Sequence, residues 1–339
     1  MSATDDSTGG SPESRLLEVE DLHVEFRTRE ATANVLNGVG YHVDAGETLA
    51  VLGESGSGKS VTAQTVMGIL DTPPGFVTKG AIRYRGEELL SATEDRRRGL
   101  RGENMAMIFQ DALSALNPVY TVGFQIAEQF RFRRGMSRKD AMAKAAEMLD
   151  LVKIPNAKQR VKEFPHQFSG GMRQRAMIAM SLALDPDLLI ADEPTTALDV
   201  TVQAQIMDLL DELRRERGMG LILITHDLGV VAEVADRIAV MYAGRVVEES
   251  DAESLYKRPA HPYTEGLMES IPRLDQKGEQ LASIKGLPPN LANIPEGCPF
   301  HPRCHRATDE CRRKVPELLE LRPGRYSACH FAEELISSE

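Results

Sequence analysis

Gly53-Glu54-Ser55-Gly56-Ser57-Gly58-Lys59-Ser60 is the stretch whose reading decides the fold. It satisfies the pattern G-x-x-x-x-G-K-[ST] at every fixed position. Residues 49–52, Leu-Ala-Val-Leu, form an apolar run with the character of a buried strand, and Val61 begins a stretch to Met67 with the character of a helix. That strand–loop–helix setting separates a phosphate-binding loop from a chance match. The glycines let backbone N–H groups turn inward as an anion nest, and the helix N-terminus adds partial positive charge. Lys59 is placed to reach β- and γ-phosphates, and the Ser60 hydroxyl to bind Mg²⁺. The segment therefore implies a site for a nucleoside triphosphate.

At 339 residues the chain has room for a nucleotide-binding core plus an appendage. A hydrophobic content of 42% suffices for a real core. The formal charge of −11 argues against a protein that grips nucleic acid through a basic footprint. No apolar run reaches the ~18 residues of a membrane span, and the N-terminus lacks a signal-peptide pattern. The expectation is a chain soluble by itself, linked to membranes only through partners. Residues 1–14, rich in Ser, Thr, Asp and Gly, read as a disordered leader.

Along the chain, residues 16–26 alternate apolar and polar side chains as a strand does, and residues 41–43 read as a second strand. Residues 71–78, with Pro73, Pro74 and Gly75, read as a loop, and 81–84 as a short strand. Arg96, Arg97, Arg98 and Arg101 form a basic run best read as solvated surface. Residues 105–109 are a strand ending at Gln110. From 112 to about 154 the pattern is helical, and another apolar helix spans 172–184. Buried strands at 188–191 and 221–224 deliver Asp192-Glu193 and Thr225-His226-Asp227, with an amphipathic helix over 202–215 between them. Residues 238–242 and 245–247 read as a hairpin around Ala243-Gly244. Alternating strands and helices predict an α/β fold, a parallel sheet with crossover helices. The expected organisation is a nucleotide-binding domain over 15–250 with a helical insertion at about 111–180. A proline-punctuated extension over 251–339 follows.

Asp192 ends an apolar strand, and the carboxyl edge of an open α/β sheet is where ligands sit. It is the candidate Mg²⁺ carboxylate, and Glu193 the candidate for polarising an attacking water. Phe168-Ser169-Gly170-Gly171-Met172-Arg173-Gln174 resembles the signature sequence of ABC ATPases. Gln110 at a strand end, Ala197-Leu198-Asp199 after Glu193, and His226 closing a later strand stand in the order and spacing of the same family. The resemblance implies a P-loop core with an inserted helical subdomain, working as a dimer that sandwiches two ATP molecules. It implies that Gln110 senses Mg²⁺ and water, Glu193 acts as base and His226 contacts the γ-phosphate. Ser169, Gly170, Gly171, Met172 and Asp199 would meet the ATP of the opposite subunit. Phe168 and Met172 replace the commoner Leu and Gln, while Ser169 and both glycines are kept. Phe26 falls where the family places an aromatic that stacks on adenine; a strand phenylalanine is equally a core residue.

A narrower resemblance covers almost the whole chain. Residues 108–119, Ile-Phe-Gln-Asp-Ala-Leu-Ser-Ala-Leu-Asn-Pro-Val, are similar to the oligopeptide/dipeptide importer ATPases. So are His261-Pro262-Tyr263-Thr264, residues 270–274, Gly286-Leu287-Pro288-Pro289 and the cysteine-bearing tail. This resemblance implies an ATPase that powers uptake of di- or oligopeptides through two membrane permeases. It would pair with a second, homologous ATPase at the cytoplasmic face of the membrane and serve an extracytoplasmic solute-binding protein, with no nucleic acid involved. Competing readings are a soluble ABC ATPase of ribosomes or DNA, which usually has two cores or a long coiled coil, and a non-hydrolysing ATP-binding partner, against which Glu193 and His226 speak.

The four cysteines, Cys298, Cys304, Cys311 and Cys329, all lie in the extension. Their crowding suggests a metal rather than disulfides. Five, six and seventeen residues separate them, without the close pairs of common zinc sites. Thiolates at varied spacing suit an iron–sulfur cluster; zinc and unmetallated thiols are the alternatives. The resemblance implies a 4Fe–4S cluster. His301, His305 and His330 nearby read as surface or supporting groups.

Overall fold

The computed structural model describes residues 15–196, 198–270 and 284–337. The expected leader at 1–14 and residues 271–274 of the importer-like tail lie outside the described residues. The strands are β1 (Arg15–Arg27), β2 (Thr32–Asp44), β3 (Thr48–Leu52), β4 (Gly75–Tyr84), β5 (Glu87–Glu88) and β6 (Met105–Ile108). They continue with β7 (Leu188–Asp192), β8 (Gly220–Ile224), β9 (Arg237–Tyr242), β10 (Arg245–Asp251), β11 (Leu319–Arg322) and β12 (Arg325–Ser327). The chain divides into two compact units, Met1–Ser91 with Thr225–Glu339, and Ala92–Ile224.

In the first unit β1 is flanked by β2 and β4, both antiparallel to it, and β5 extends the sheet. In β1, Leu17 and Val19 are buried, and beyond a register shift Leu22 and Val24 are buried in turn. This antiparallel sheet is an addition to the parallel sheet expected from the alternation of strands and helices. It also corrects the loop expected at 71–78. Phe76 and Val77 pair with Glu25 and Val24 of β1, so β4 starts at Gly75. The partner strand, invisible in local composition, decides the conformation. In the same unit β3 runs parallel to β9, with Leu49 opposite Arg237 and Leu52 opposite Val240. Strands β9 and β10 form the expected antiparallel hairpin.

The tail is more ordered than its prolines suggest. Strand β12 pairs with β10, and β11 with β12. Helices Ala252–Lys257 and Pro262–Glu269 also belong to the tail, and Pro262 stands at the helix start, where its missing N–H costs no hydrogen bond. Ser327 Oγ donates to Ala260 O at 2.8 Å within the buried seam.

The second unit carries β8, β7 and β6 side by side and parallel. Every residue of β6, β7 and β8 is buried, the continuous apolar pattern of strands covered on both faces. The helices Val122–Arg134 and Arg138–Leu151 begin at Thr121 and Ser137, whose side chains accept from Phe124 N–H and Asp140 N–H. Their buried faces, Ile126 and Phe130 on one, Ala141, Ala145 and Leu149 on the other, follow the three- and four-residue spacing read from the sequence. The helical stretch expected from residue 112 is broken after Ala115. Pro118 lies in the break, and Gln125 Oε1 accepts from Asn117 N–H at 2.9 Å.

Glu248 on β10 is fully buried. Ala260 N–H donates to its Oε1 at 2.6 Å. Desolvation nonetheless pushes the carboxyl up from 4.5 to about 7. Because the folded-state value lies above the unfolded one, protonation favours the fold. That contribution is complete below the unfolded value and is lost as pH rises through about 7. Glu248→Gln keeps the acceptor without the charge. The variant is expected to be more stable than wild type at pH 8, by on the order of 2–3 kcal/mol, with the advantage vanishing by pH 4.5. Thermal melts across that range check it; a pH-independent difference would remove Glu248 from the account.

Candidate functional site

The phosphate loop belongs to the first unit. It leaves β3 and enters the helix Lys59–Val66. Gly53 has φ +150°, and a Cβ there would lie 2.3 Å from Met241 O. Gly58, at the helix N-cap, has φ +105°, and its Cβ would meet Leu36 Cδ2 at 2.7 Å. No side chain fits either position, so the loop backbone packs directly on its neighbours. Gly244 N–H donates to Ser57 O at 2.9 Å, tying the loop to the β9–β10 turn. Lys59 Nζ donates to Gly53 O at 2.7 Å and Glu54 O at 3.0 Å, spanning the loop from its helix. Ser57 Oγ is buried without a hydrogen-bond partner among the described residues, a polar atom that invites one. Ser55 and Gly56 are exposed, and Ser60 and Val61 half-buried at the first helical turn. The loop thus presents exposed Ser55 and Gly56 between two glycines that pack directly on neighbouring elements.

His226 is in the same unit and exposed. The preceding Thr225 N–H donates to Val51 O at 3.3 Å, which carries His226 to the end of β3 from which the loop departs. Asp227 then starts the helix Leu228–Val234 by accepting from Gly229 N–H and Val230 N–H. Phe26 is half-buried on β1, so it is not one of the core phenylalanines.

The second unit brings Gln110 and Glu193 together. Parallel β6 and β7 are in register, with Ile108 opposite Ala191, so the residues just past their carboxyl ends are neighbours. Gln110 Nε2 donates to Glu193 Oε2 at 2.7 Å. Thr196 Oγ1 donates to the same oxygen at 2.9 Å. Glu193 N–H donates to Ile224 O of β8 at 2.8 Å. Glu193 has φ +46°, a left-handed conformation uncommon for a residue with a side chain. Asp192 closes β7 and is buried. Adjacent carboxylates thus face different surroundings, one in the strand and one at its rim. That division suits one metal-holding and one water-orienting carboxylate.

Ser169 opens the helix Gly170–Ser181 and accepts from Met172 N–H at 3.3 Å. Ser169 and Gly170 are exposed. Gly171 is crowded by Val202, whose Cγ1 would stand 2.9 Å from an added Cβ. Asp199 starts the helix Val200–Arg217, its Oδ1 accepting from Val202 N–H at 3.0 Å. Of the five residues expected to meet a partner's nucleotide, Ser169 and Asp199 are helix N-caps in this subunit.

In the tail of the first unit, Cys298, Cys304, Cys311 and Cys329 line one small cavity of about 20 Å³ with His261, Phe300 and Phe331. All four are free thiols. Cys298 N–H donates to Cys311 O at 2.8 Å, and Phe331 N–H donates to Cys329 Sγ at 3.4 Å. Burial raises the Cys298 thiol to about 11 and Cys329 to about 12, and raises Cys304 as well. His261 is buried and accepts from Tyr263 N–H, and burial lowers it to about 3. His301 bonds to Cys298 O and His330 to Lys314 O. Among the described residues no group of three or more His, Cys, Asp or Glu is set closely enough to hold a metal ion.

Two contributors escaped the sequence reading. Tyr263 OH accepts from Glu54 N–H at 2.8 Å, and Arg303 grips the Glu54 carboxylate. The His261-Pro262-Tyr263-Thr264 stretch stood out in the sequence, but nothing in it relates residues 263 and 303 to residue 54.

The loop, the strand-end carboxylates and the helix-capping signature define an ATP-hydrolysing cassette, and the chain belongs to the ABC transporter family. Residues 36–196 match the family described as ABC transporter, and residues 247–311 the oligopeptide/dipeptide transporter C-terminal region. Similar proteins include the oligopeptide transport ATP-binding protein OppD of Salmonella typhimurium, 49% identical over 96% of each chain. The dipeptide transport ATP-binding protein DppD of Bacillus subtilis is 50% identical over 89% of this chain and 90% of its own. A solved relative, the ATP-binding cassette MJ0796 as a dimer in a post-hydrolysis state bound to ADP and Pi, is 28% identical with a TM-score of 0.62. The alignment covers 70% of this chain and 98% of that one.

Glu193→Gln is expected to lower ATP turnover at least about 10²-fold while MgATP binding stays within about threefold of wild type. Steady-state hydrolysis beside equilibrium nucleotide binding checks it. Unchanged turnover would take Glu193 out of the reaction.

Proposed function

We propose that this chain is the ATP-hydrolysing subunit of an importer for di- or oligopeptides. Similarity at about half identity, running through the cassette and on into the tail, is the observation that carries this reading. No helix among the described residues is long and apolar enough to cross a membrane, so passage is assigned to two permease subunits. The protein would work against them at the cytoplasmic face, beside a second, homologous ATPase, with peptides delivered by an extracytoplasmic binding protein.

In this reading Gly53 to Val61 cradle the triphosphate, Phe26 stacks on the base, and Ser60, Gln110 and Asp192 serve Mg²⁺. Glu193 orients and deprotonates water, with Gln110 and Thr196 fixing the carboxylate. His226 meets the γ-phosphate. Ser169, Gly170, Gly171, Met172 and Asp199 address the nucleotide of the opposite subunit, completing each site only in the dimer. Phosphoryl transfer requires mainly positioning and charge neutralisation, which this set supplies. Residues 15–250 are the ATPase domain, with the helical insertion at about 111–180, and 251–339 the extension.

The cysteine tail is assigned an iron–sulfur cluster, with zinc as the alternative, because all four thiols line one cavity. Cys298, Cys304, Cys311 and Cys329 would be its ligands, and the cluster would supply a cross-link for the tail. Burial favours the protonated thiols of Cys298 and Cys329, so ligation there must displace those protons. Anaerobically purified protein is expected to carry about four irons and four sulfides per chain. One zinc, or no metal, would refute the cluster and leave the ATPase reading standing. For transport, the subunit assembled with permeases, second ATPase and binding protein in vesicles should drive ATP-dependent peptide uptake. Uptake that persists undiminished in Lys59→Ala would overturn the assignment.

A further inference from the structure

Glu54 is the one carboxylate of the phosphate loop, and it does not point at solvent unpaired. Arg303 Nη1 donates to its Oε2 at 2.5 Å and Nη2 to its Oε1 at 2.9 Å, a two-pronged pair. The Arg303 side chain is 5% exposed and that of Glu54 28%. The guanidinium is fixed further by Nε donating to Lys285 O at 3.1 Å and by the Tyr242 hydroxyl at 3.4 Å. Tyr263 holds the backbone of the same residue, its hydroxyl accepting from Glu54 N–H. Tyr263 is in turn packed on Tyr242 and Phe300, with ring centroids 4.6 and 5.4 Å apart. Arg303 lies next to Cys304, and Phe300 lines the thiol cavity. The clamp on Glu54 is therefore built from the cysteine tail.

An uncompensated carboxylate in a loop that receives a triphosphate repels its ligand, and low local permittivity magnifies the repulsion. A planar guanidinium in bidentate contact cancels that charge without entering the cradle. We propose that Arg303 is a positioning residue for nucleotide binding. It neutralises and orients Glu54 in the phosphate loop, so that affinity for the triphosphate depends on the folded cysteine tail. This inference rests on the reading that Gly53 to Ser60 take the triphosphate.

The test uses the full chain, with dissociation constants for MgATP and steady-state KM and kcat in the assembled complex. Arg303→Ala is expected to weaken MgATP binding about tenfold or more, the scale of one uncompensated charge near a polyanion. KM should rise while kcat at saturating ATP is kept. Glu54→Gln placed in the Arg303→Ala background should recover affinity to within about threefold of wild type, because it deletes the charge that Arg303 offsets. A tail that merely lost its fold would not be rescued in this way. Unchanged binding by Arg303→Ala, or a loss that Glu54→Gln fails to restore, overturns the proposal. Lys59→Ala serves as the separate control. If it binds MgATP like wild type, the phosphate-loop reading itself falls, a result distinguishable from either failure of Arg303.

Discussion

Everything chemical in this protein depends on how closely backbone approaches backbone around the phosphate loop. At Gly53 a single methyl group would collide with Met241 O, and at Gly58 with the Leu36 side chain. With no side chain at either glycine, the loop is pressed onto the β9–β10 turn and onto β2. Lys59 reaches back across the loop to two of its carbonyls, so the cation is stationed before a ligand arrives.

A second constraint acts in the other compact unit, where strand register substitutes for sequence proximity. Gln110 and Glu193 are 83 residues apart and meet only because β6 and β7 are parallel and in step. The left-handed backbone at Glu193, supported by its N–H on Ile224 O, turns the carboxylate out of the strand direction that Asp192 follows. Local strain at Glu193 persists because three neighbouring strands over-determine it.

Much of this was legible in the amino-acid sequence. The phosphate loop is local: its glycines, its lysine and the flanking apolar runs are contiguous, and the physics that shapes them acts over a dozen residues. The strands at 188–191 and 221–224 announce themselves as unbroken apolar runs. What stayed hidden was long-range. The early part of β4 looks like a loop until β1 is laid beside it. The prolines of the tail conceal β12, whose two-residue pairing with β10 needs a partner about eighty residues upstream. The Gln110–Glu193 bond follows from register, and the Glu54–Arg303 pair from tertiary packing alone, so neither has a signature in composition or spacing.

The distance along the chain between Glu54 and Arg303, 249 residues, carries a consequence for biosynthesis. A ribosome makes the phosphate loop early and its counter-ion near the end. Until residues 298–329 have emerged and folded, Glu54 stands uncompensated and β10 presents an unpaired edge. A truncated chain would thus hold its cassette in a state poorly suited to a polyanionic ligand. On the proposal made above for Arg303, full affinity for the nucleotide would await the folding of the cysteine tail.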